Sequence, residues 1–223
     1  MVSIIFDTES SGLTDPHLIE AAWVRVPDPT TLKVEETFFQ RYNAAKPIEL
    51  GALATHHIYD EELVDCPPYS DFALPADIEY MVGHNIDYDW KVIGKPDIKR
   101  ICTLALSRYL WPDLDSYSQS AILYYFERAN ARDLLNAAHS AMQDVLNCLT
   151  ILRHLTMRFE PAELVSWDAV WLFSERARIP KVMAFGKHKG TAIKDVPADY
   201  KSWLLRQPDT DLYLAKALRG EAA

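Results

Sequence analysis

A chain of 223 residues is long enough for one well-buried α/β domain plus a small appendage. With 49% apolar and 25% charged residues it has the balance of a folded globular protein, and no apolar run approaches the roughly 20 residues that span a bilayer, which excludes a disordered chain and a helical membrane protein. The net charge of −9 argues against a generally polyanion-binding surface, although residues 181–223 hold eight Lys/Arg against five Asp/Glu and so stand at +3, leaving −12 for the rest. Cys66, Cys102 and Cys148 are odd in number and far apart, which argues for reduced core residues and against a disulfide framework or a Cys-based zinc site. The opening MVSIIFDTES has no basic stretch and meets acid at Asp7, so it reads as a strand and not as a signal peptide. The cytoplasm is the expected compartment.

Residues 2–6 are apolar and partly β-branched, as in a central strand, and Ser10-Ser11-Gly12 breaks the run. Ile19 to Val26 and Val34 to Tyr42 read as two further strands joined by Pro27-Asp28-Pro29-Thr30, with alternation that suggests antiparallel pairing with the first. Residues 46–65 read as loop and short helix. Met81-Val82-Gly83 is a short buried strand, followed by a helix that Gly94 and Pro96 end. Ile101 opens another strand, and Thr103 to Leu110 is helical up to Pro112. Ser116 to Arg128 is a helix candidate with Ala121, Ile122, Tyr125 and Phe126 on its apolar side. Between about 140 and 158, Met142, Val145, Leu149, Leu152 and Leu155 recur at three- and four-residue steps, the clearest helical period in the chain. The predicted architecture is an α/β mixed sheet, three antiparallel strands plus parallel ones, flanked by helices. It divides as a domain over 1–160, a helical connector over 161–180 and a small C-terminal module over 181–223 that opens on FGKHKG.

Three places concentrate carboxylates. Asp7 and Glu9 stand two apart at the end of an apolar strand, so they share a face, repel each other and resist burial. A hard cation such as Mg²⁺ would offset them; a solvated strand end would also explain them. The segment GHNIDYD, residues 83–89, supplies Asp87 and Asp89 after a second apolar strand. His139 and Asp144 stand five apart at the opening of the clearest helix, where a helix dipole or a cap would account for either alone.

Taken together these segments resemble the DEDD exonuclease superfamily in its histidine-containing branch. Its first motif stands here as Asp7-Thr8-Glu9-Ser10-Ser11-Gly12-Leu13, its second as His84-Asn85-Ile86-Asp87-Tyr88-Asp89, and its third as His139-Ser140-Ala141-Met142-Gln143-Asp144. Thr55-His56-His57-Ile58 and CTLALSRYLWP add to the likeness, which covers residues 2–155. FGKHKG and the Trp203 segment are similar to the C-terminal extension of the exodeoxyribonuclease X group.

The resemblance implies a ribonuclease H-like fold and a 3′→5′ exonuclease with two Mg²⁺ per site, Mn²⁺ being an alternative. It assigns Asp7, Glu9, Asp89 and Asp144 to the metals, Asp89 and not Asp87 falling on the motif position, and His139 to general-base catalysis. It implies that Thr8, Ser10, Ser11, Gly12, Leu13, His56 and Asn85 hold the 3′ end of the strand, with Leu13 wedged against the terminal bases. DNA is the expected partner from the C-terminal likeness, with RNA trimming and a non-catalytic nucleic-acid scaffold as alternatives. A homodimer is left open.

Overall fold

The computed structural model describes residues 2–135 and 140–221. Its framework is a five-stranded sheet in the order β3-β2-β1-β4-β5. The strands are β1 (Val2–Ser10), β2 (Leu18–Arg25), β3 (Glu36–Arg41), β4 (Ile78–Gly83) and β5 (Lys99–Cys102). β1–β2 and β2–β3 pair antiparallel, β1–β4 and β4–β5 parallel, which gives the expected mixed sheet. The helices are α1 (Leu50–His56), α2 (Asp87–Val92), α3 (Thr103–Leu110), α4 (Gln119–Phe126), α5 (Ala131–Leu134), α6 (Ala141–Thr156), α7 (Pro161–Leu164), α8 (Trp167–Ala177), α9 (Ala198–Leu204) and α10 (Leu212–Arg219).

Alternation along β1 decides which side of the sheet each side chain meets. Ile4 and Phe6 pack on one face with Trp23, Met81, Tyr42 and Ile86. Ile5 packs on the other with Val24, Tyr80, Val82 and the helical layer of Leu106, Val145, Leu149 and Leu152. Asp7 and Glu9 continue the Ile5 series, so they emerge on the α6 side. α6 buries Ala141, Val145, Cys148, Leu149, Ile151, Leu152 and Leu155, a stripe whose large side chains each contribute about 1.5–3 kcal/mol by leaving water.

Several sequence expectations need adjusting. β3 starts at Glu36 and not at Val34: Glu36 stands opposite Arg25, the last residue of β2, so the β2–β3 ladder has no partner left for Val34. β5 opens at Lys99, opposite Tyr80, and Ile101 lies inside it. The apolar face of α4 is formed by Ile122 and Leu123, with Phe126 half-buried against Trp111, while Tyr125 points outward at 54% exposure. Positions i, i+1 and i+4 form that stripe, and Tyr125 falls outside it.

Residues 161–177 do more than connect. Trp167, Val170 and Phe173 of α8 join the main core, and the Trp167 indole N–H donates to the carbonyls of Val26 (2.9 Å) and Pro27 (3.0 Å). The C-terminal residues close around a separate small core of Met183, Ile193, Val196, Leu204, Leu214 and Leu218. They attach to α8 through Tyr213, whose hydroxyl donates to Glu175 at 2.8 Å and whose ring lies 5.1 Å from the Arg178 guanidinium. Among the described residues no helix is long and apolar enough to cross a membrane.

Candidate active site

Asp7 and Glu9 leave the same face of β1, and Asp144 comes down from the first turn of α6, which packs on that face. One carboxylate oxygen from each of the three lies within 4.8 Å of the other two. Asp89 reaches the same place from α2. It is buried, and its Oδ1 accepts from Thr8 N–H at 3.0 Å and from the Thr8 hydroxyl at 2.7 Å. These two bonds cross from one motif to the next over 81 positions. Asp87, two residues earlier, turns away and forms ion pairs with Arg100 and with Arg178, the latter at 2.6 Å. The geometry therefore separates the two acids as the motif spacing does.

Four carboxyl groups in so small a volume oppose one another's ionisation. Burial, then the charges of Asp89, Asp144, Glu9 and Glu20, hold the Asp7 carboxyl well above the usual range. Burial, followed by Asp144, Glu20 and Asp89, pushes Glu9 up to about 8. Burial pushes Asp89 to about 7 even though the Thr8 bonds favour its charged form. Hard oxygen donors held this close, with ionisation suppressed by mutual repulsion, fit a divalent cation well. His139 lies outside the described residues. The motif histidine at position 84 is structural: its ring bridges Thr103 Oγ1 (3.0 Å) and Tyr117 O (2.8 Å), and burial lowers its pKa to about 4.

Beside the acids opens a cavity of about 330 Å³. Thr8, Ser10, Gly12, Leu13 and His56 of the expected strand-binding set line it, together with Glu9 of the acid cluster. Leu13 stands at 81% exposure, free to meet a ligand. His56 accepts from Ile58 N–H through Nδ1 at 3.0 Å, so its proton sits on Nε2. That nitrogen is buried without a well-aligned partner; burial lowers the ring's pKa, and the Ser10 backbone pulls the other way.

Two members of the set stand elsewhere. Ser11 is fully buried, and its hydroxyl accepts from His17 N–H at 3.0 Å, which fixes the loop after β1 and keeps the side chain out of the cavity. Asn85 is exposed and takes the left-handed conformation (φ 66) that turns the chain from β4 into α2, so its role is at the turn.

The structure adds residues that the sequence did not single out. Glu20, opposite Glu9 in the β1–β2 register, is 1% exposed. One of its oxygens accepts from Arg41 Nε and the other from Ala141 N–H, both at 2.9 Å. It thereby satisfies an otherwise unpaired donor at the start of α6 and fixes the helix that carries Asp144. Its position inside the apolar run LIEAAWV was the available signal. Tyr88 Oη donates to Gly12 O at 3.0 Å and stands 2.6 Å from Ser10 Oγ, tying α2 to the loop after β1. Glu49 crosses over Gly12 to accept from Leu13 N–H at 3.1 Å. A Cβ at Gly12 would lie 2.2 Å from Glu49 Cδ, so glycine is required for that approach.

No family model matches the chain. It is 28% identical to exodeoxyribonuclease 10 of Escherichia coli (strain K12) over 214 residues, 92% of this chain and 91% of that protein. Among solved structures it is similar to exonuclease X in complex with 5′ overhanging duplex DNA, with a TM-score of 0.57 and 27% identity over 75% of this chain and 99% of that one. The zinc-bound form of the Escherichia coli ExoI–ssDNA complex has a TM-score of 0.61 at 16% identity, over 95% of this chain and 60% of that one, a likeness of fold.

Proposed function

The chain is a homologue of exodeoxyribonuclease 10, and from that premise we propose that it is a metal-dependent 3′→5′ exodeoxyribonuclease that releases nucleoside monophosphates from DNA ends in the cytoplasm. The observation that carries the proposal is the meeting of Asp7, Glu9 and Asp144 within 4.8 Å, with Asp89 held beside them through Thr8.

Two divalent cations, Mg²⁺ or Mn²⁺, would supply an activated water and charge stabilisation at the phosphate and the leaving oxygen. Asp7, Glu9 and Asp144 would hold the ion on the water side. Asp7 and Asp89 would hold the second. Thr8 keeps Asp89 turned toward the cluster, and Glu20 keeps the start of α6 in place. His139 takes the proton of the attacking water; this role rests on the motif and on the ordinary imidazole pKa near neutrality. The terminal nucleotide enters the cavity lined by Ser10, Gly12, Leu13 and His56, where Leu13 presses on the base and the His56 ring forms part of the wall. Apolar contact and stacking do not read base identity, so sequence tolerance is expected. Residues 1–160 with α8 form the catalytic domain in this reading, and 181–223 an appended module.

The test is a time course with Mg²⁺ on a DNA strand labelled at its 5′ end and on the RNA of the same sequence. Single-nucleotide shortening of the DNA supports the proposal. Preferential shortening of the RNA would move the assignment to 3′-end trimming of RNA, and internal cuts would remove the exonuclease assignment.

A further inference from the structure

The C-terminal module turns large aromatic side chains outward although it has a core of its own. Phe185 and Trp203 are 50% and 46% exposed, while Met183, Leu204 and Leu214 fill the interior. Gly186, at φ 70, lets the FGKHKG loop lie against α9: a Cβ there would stand 2.7 Å from Tyr200 Oη. The loop thus brings His188 edge-on to Tyr200, with ring centroids 4.6 Å apart, and Tyr200 leans on Trp203 at 5.3 Å. Tyr200 and Trp203, three apart on α9, share one face. Lys187, His188, Pro197, Asp199, Tyr200 and Trp203 line a shallow cavity of about 300 Å³ there. Lys187 and Lys189 flank it from the exposed loop, and Asp199 is the one acid in its wall. The module is also net basic, at +3 against −12 for the rest of the chain.

Exposed aromatic rings beside lysines suit a strand whose bases are unpaired: every base offers a face for stacking, and every phosphate an anion. We propose that this face is a second nucleic-acid site, which stacks an unpaired base of single-stranded DNA on Trp203 and Tyr200 and engages the flanking phosphates through Lys187 and Lys189. The choice of DNA rests on the nuclease reading; the stacked rings and lysines do not. Such a site gives the strand a contact outside the acid cluster and raises the residence time of a substrate between cleavage events.

Binding of a fluorescent deoxythymidine oligomer to the full chain in EDTA, over a series of salt concentrations, tests this. Trp203→Ala is expected to weaken binding about tenfold and Trp203→Phe to restore most of it, in line with the loss and retention of one stacking platform. Lys187→Gln with Lys189→Gln is expected to lower the slope of log affinity against log salt by about 1.4, two phosphate contacts on a single strand. Those lysines sit on an exposed loop, so this pair reads out even where Trp203→Ala unfolds the module. Hydrolysis of the p-nitrophenyl ester of thymidine 5′-monophosphate with Mg²⁺, which engages only the catalytic centre, is expected to be unchanged in all three. Unchanged affinity and salt slope would overturn the site. So would a dimer in sedimentation that Trp203→Ala dissolves, which would make the face a self-contact, or much tighter binding of the matching RNA. If the ester is not hydrolysed by the unaltered protein while the binding shifts occur, the nuclease reading fails and the binding site stands.

Discussion

Withdrawing divalent metal while raising the pH perturbs the acid cluster most directly. Glu9 has a carboxylate reference value of 4.5 and is pushed to about 8 in the folded chain. The folded state therefore holds a proton that the unfolded state has released, and this contribution to stability is complete below pH 4.5 and is lost as pH rises through about 8. Asp89, raised to about 7, has the same sign, and so does Asp7. Linkage gives about 1.4 kcal/mol per pH unit for one such proton, so Glu9 alone lowers stability by on the order of 3 kcal/mol between pH 5 and pH 7. For a chain of this size that corresponds to a fall in Tm of roughly 6–12 °C. Thermal denaturation in EDTA at pH 5, 6 and 7 measures it, with Glu9→Gln as the comparison. The Tm of the unaltered protein is expected to fall with pH, the Glu9→Gln curve to flatten, and saturating Mg²⁺ to raise Tm more at pH 7 than at pH 5, since at higher pH the metal displaces fewer protons. A Tm in EDTA that is flat or rising with pH and identical in Glu9→Gln, or an increment from Mg²⁺ that ignores pH, would refute the reasoning.

The remaining predictions concern single side chains. Asp7→Asn and Asp89→Asn are expected to reduce release of mononucleotides by a thousandfold or more with the circular dichroism spectrum retained; substantial activity in either excludes that carboxylate from the site. His139→Ala is expected to lose about 10²–10⁴-fold in kcat while binding Mn²⁺ and a DNA strand as before, and near-normal turnover there removes the general base. Glu20→Ala leaves Ala141 N–H without its partner and removes one of the carboxylates paired with Arg41, which should cost about 2–4 kcal/mol; an unfolding free energy from denaturant titration within about 0.5 kcal/mol of the unaltered protein, the scatter of ordinary surface changes, contradicts the anchoring role. Gly12→Ala displaces Glu49 from Leu13 N–H and is expected to raise KM for oligonucleotides several-fold through the altered loop, with KM measured against strand concentration as the check.

The strands and the longest helix were legible because their patterns are local. Ile4, Ile5 and Phe6 announce a strand buried on both faces, and the three- and four-residue steps from Val145 to Leu155 announce a helix with one buried side. The separation of Asp7 from Glu9 by one residue was enough to place both on one face, and packing of α6 on that face brought Asp144 to them. What escaped was set by contacts distant in sequence. Ile122 was expected on the buried side, but nothing near Tyr125 tells that Leu123 meets the core in its place. Ser11 looks like its neighbours in the motif, yet its hydroxyl is taken by His17 N–H. Glu20 bonds to a helix 121 positions away, and Glu49 reaches Leu13 over 36. α8 read as a connector because Trp167, Val170 and Phe173 recur every three residues among Ala169, Trp171 and Leu172, so no single apolar stripe stands out, and only the packing shows the three closing the main core.

The central claim is that carboxylates from β1, α2 and α6 hold divalent metal. Anomalous diffraction from crystals grown with Mn²⁺ tests it without recourse to turnover. The expected result is a strong anomalous peak in ligand contact with Asp7, Glu9 and Asp144, lost in Asp7→Asn. A clean map at those three side chains, with Mn²⁺ bound elsewhere or not at all, would contradict the account.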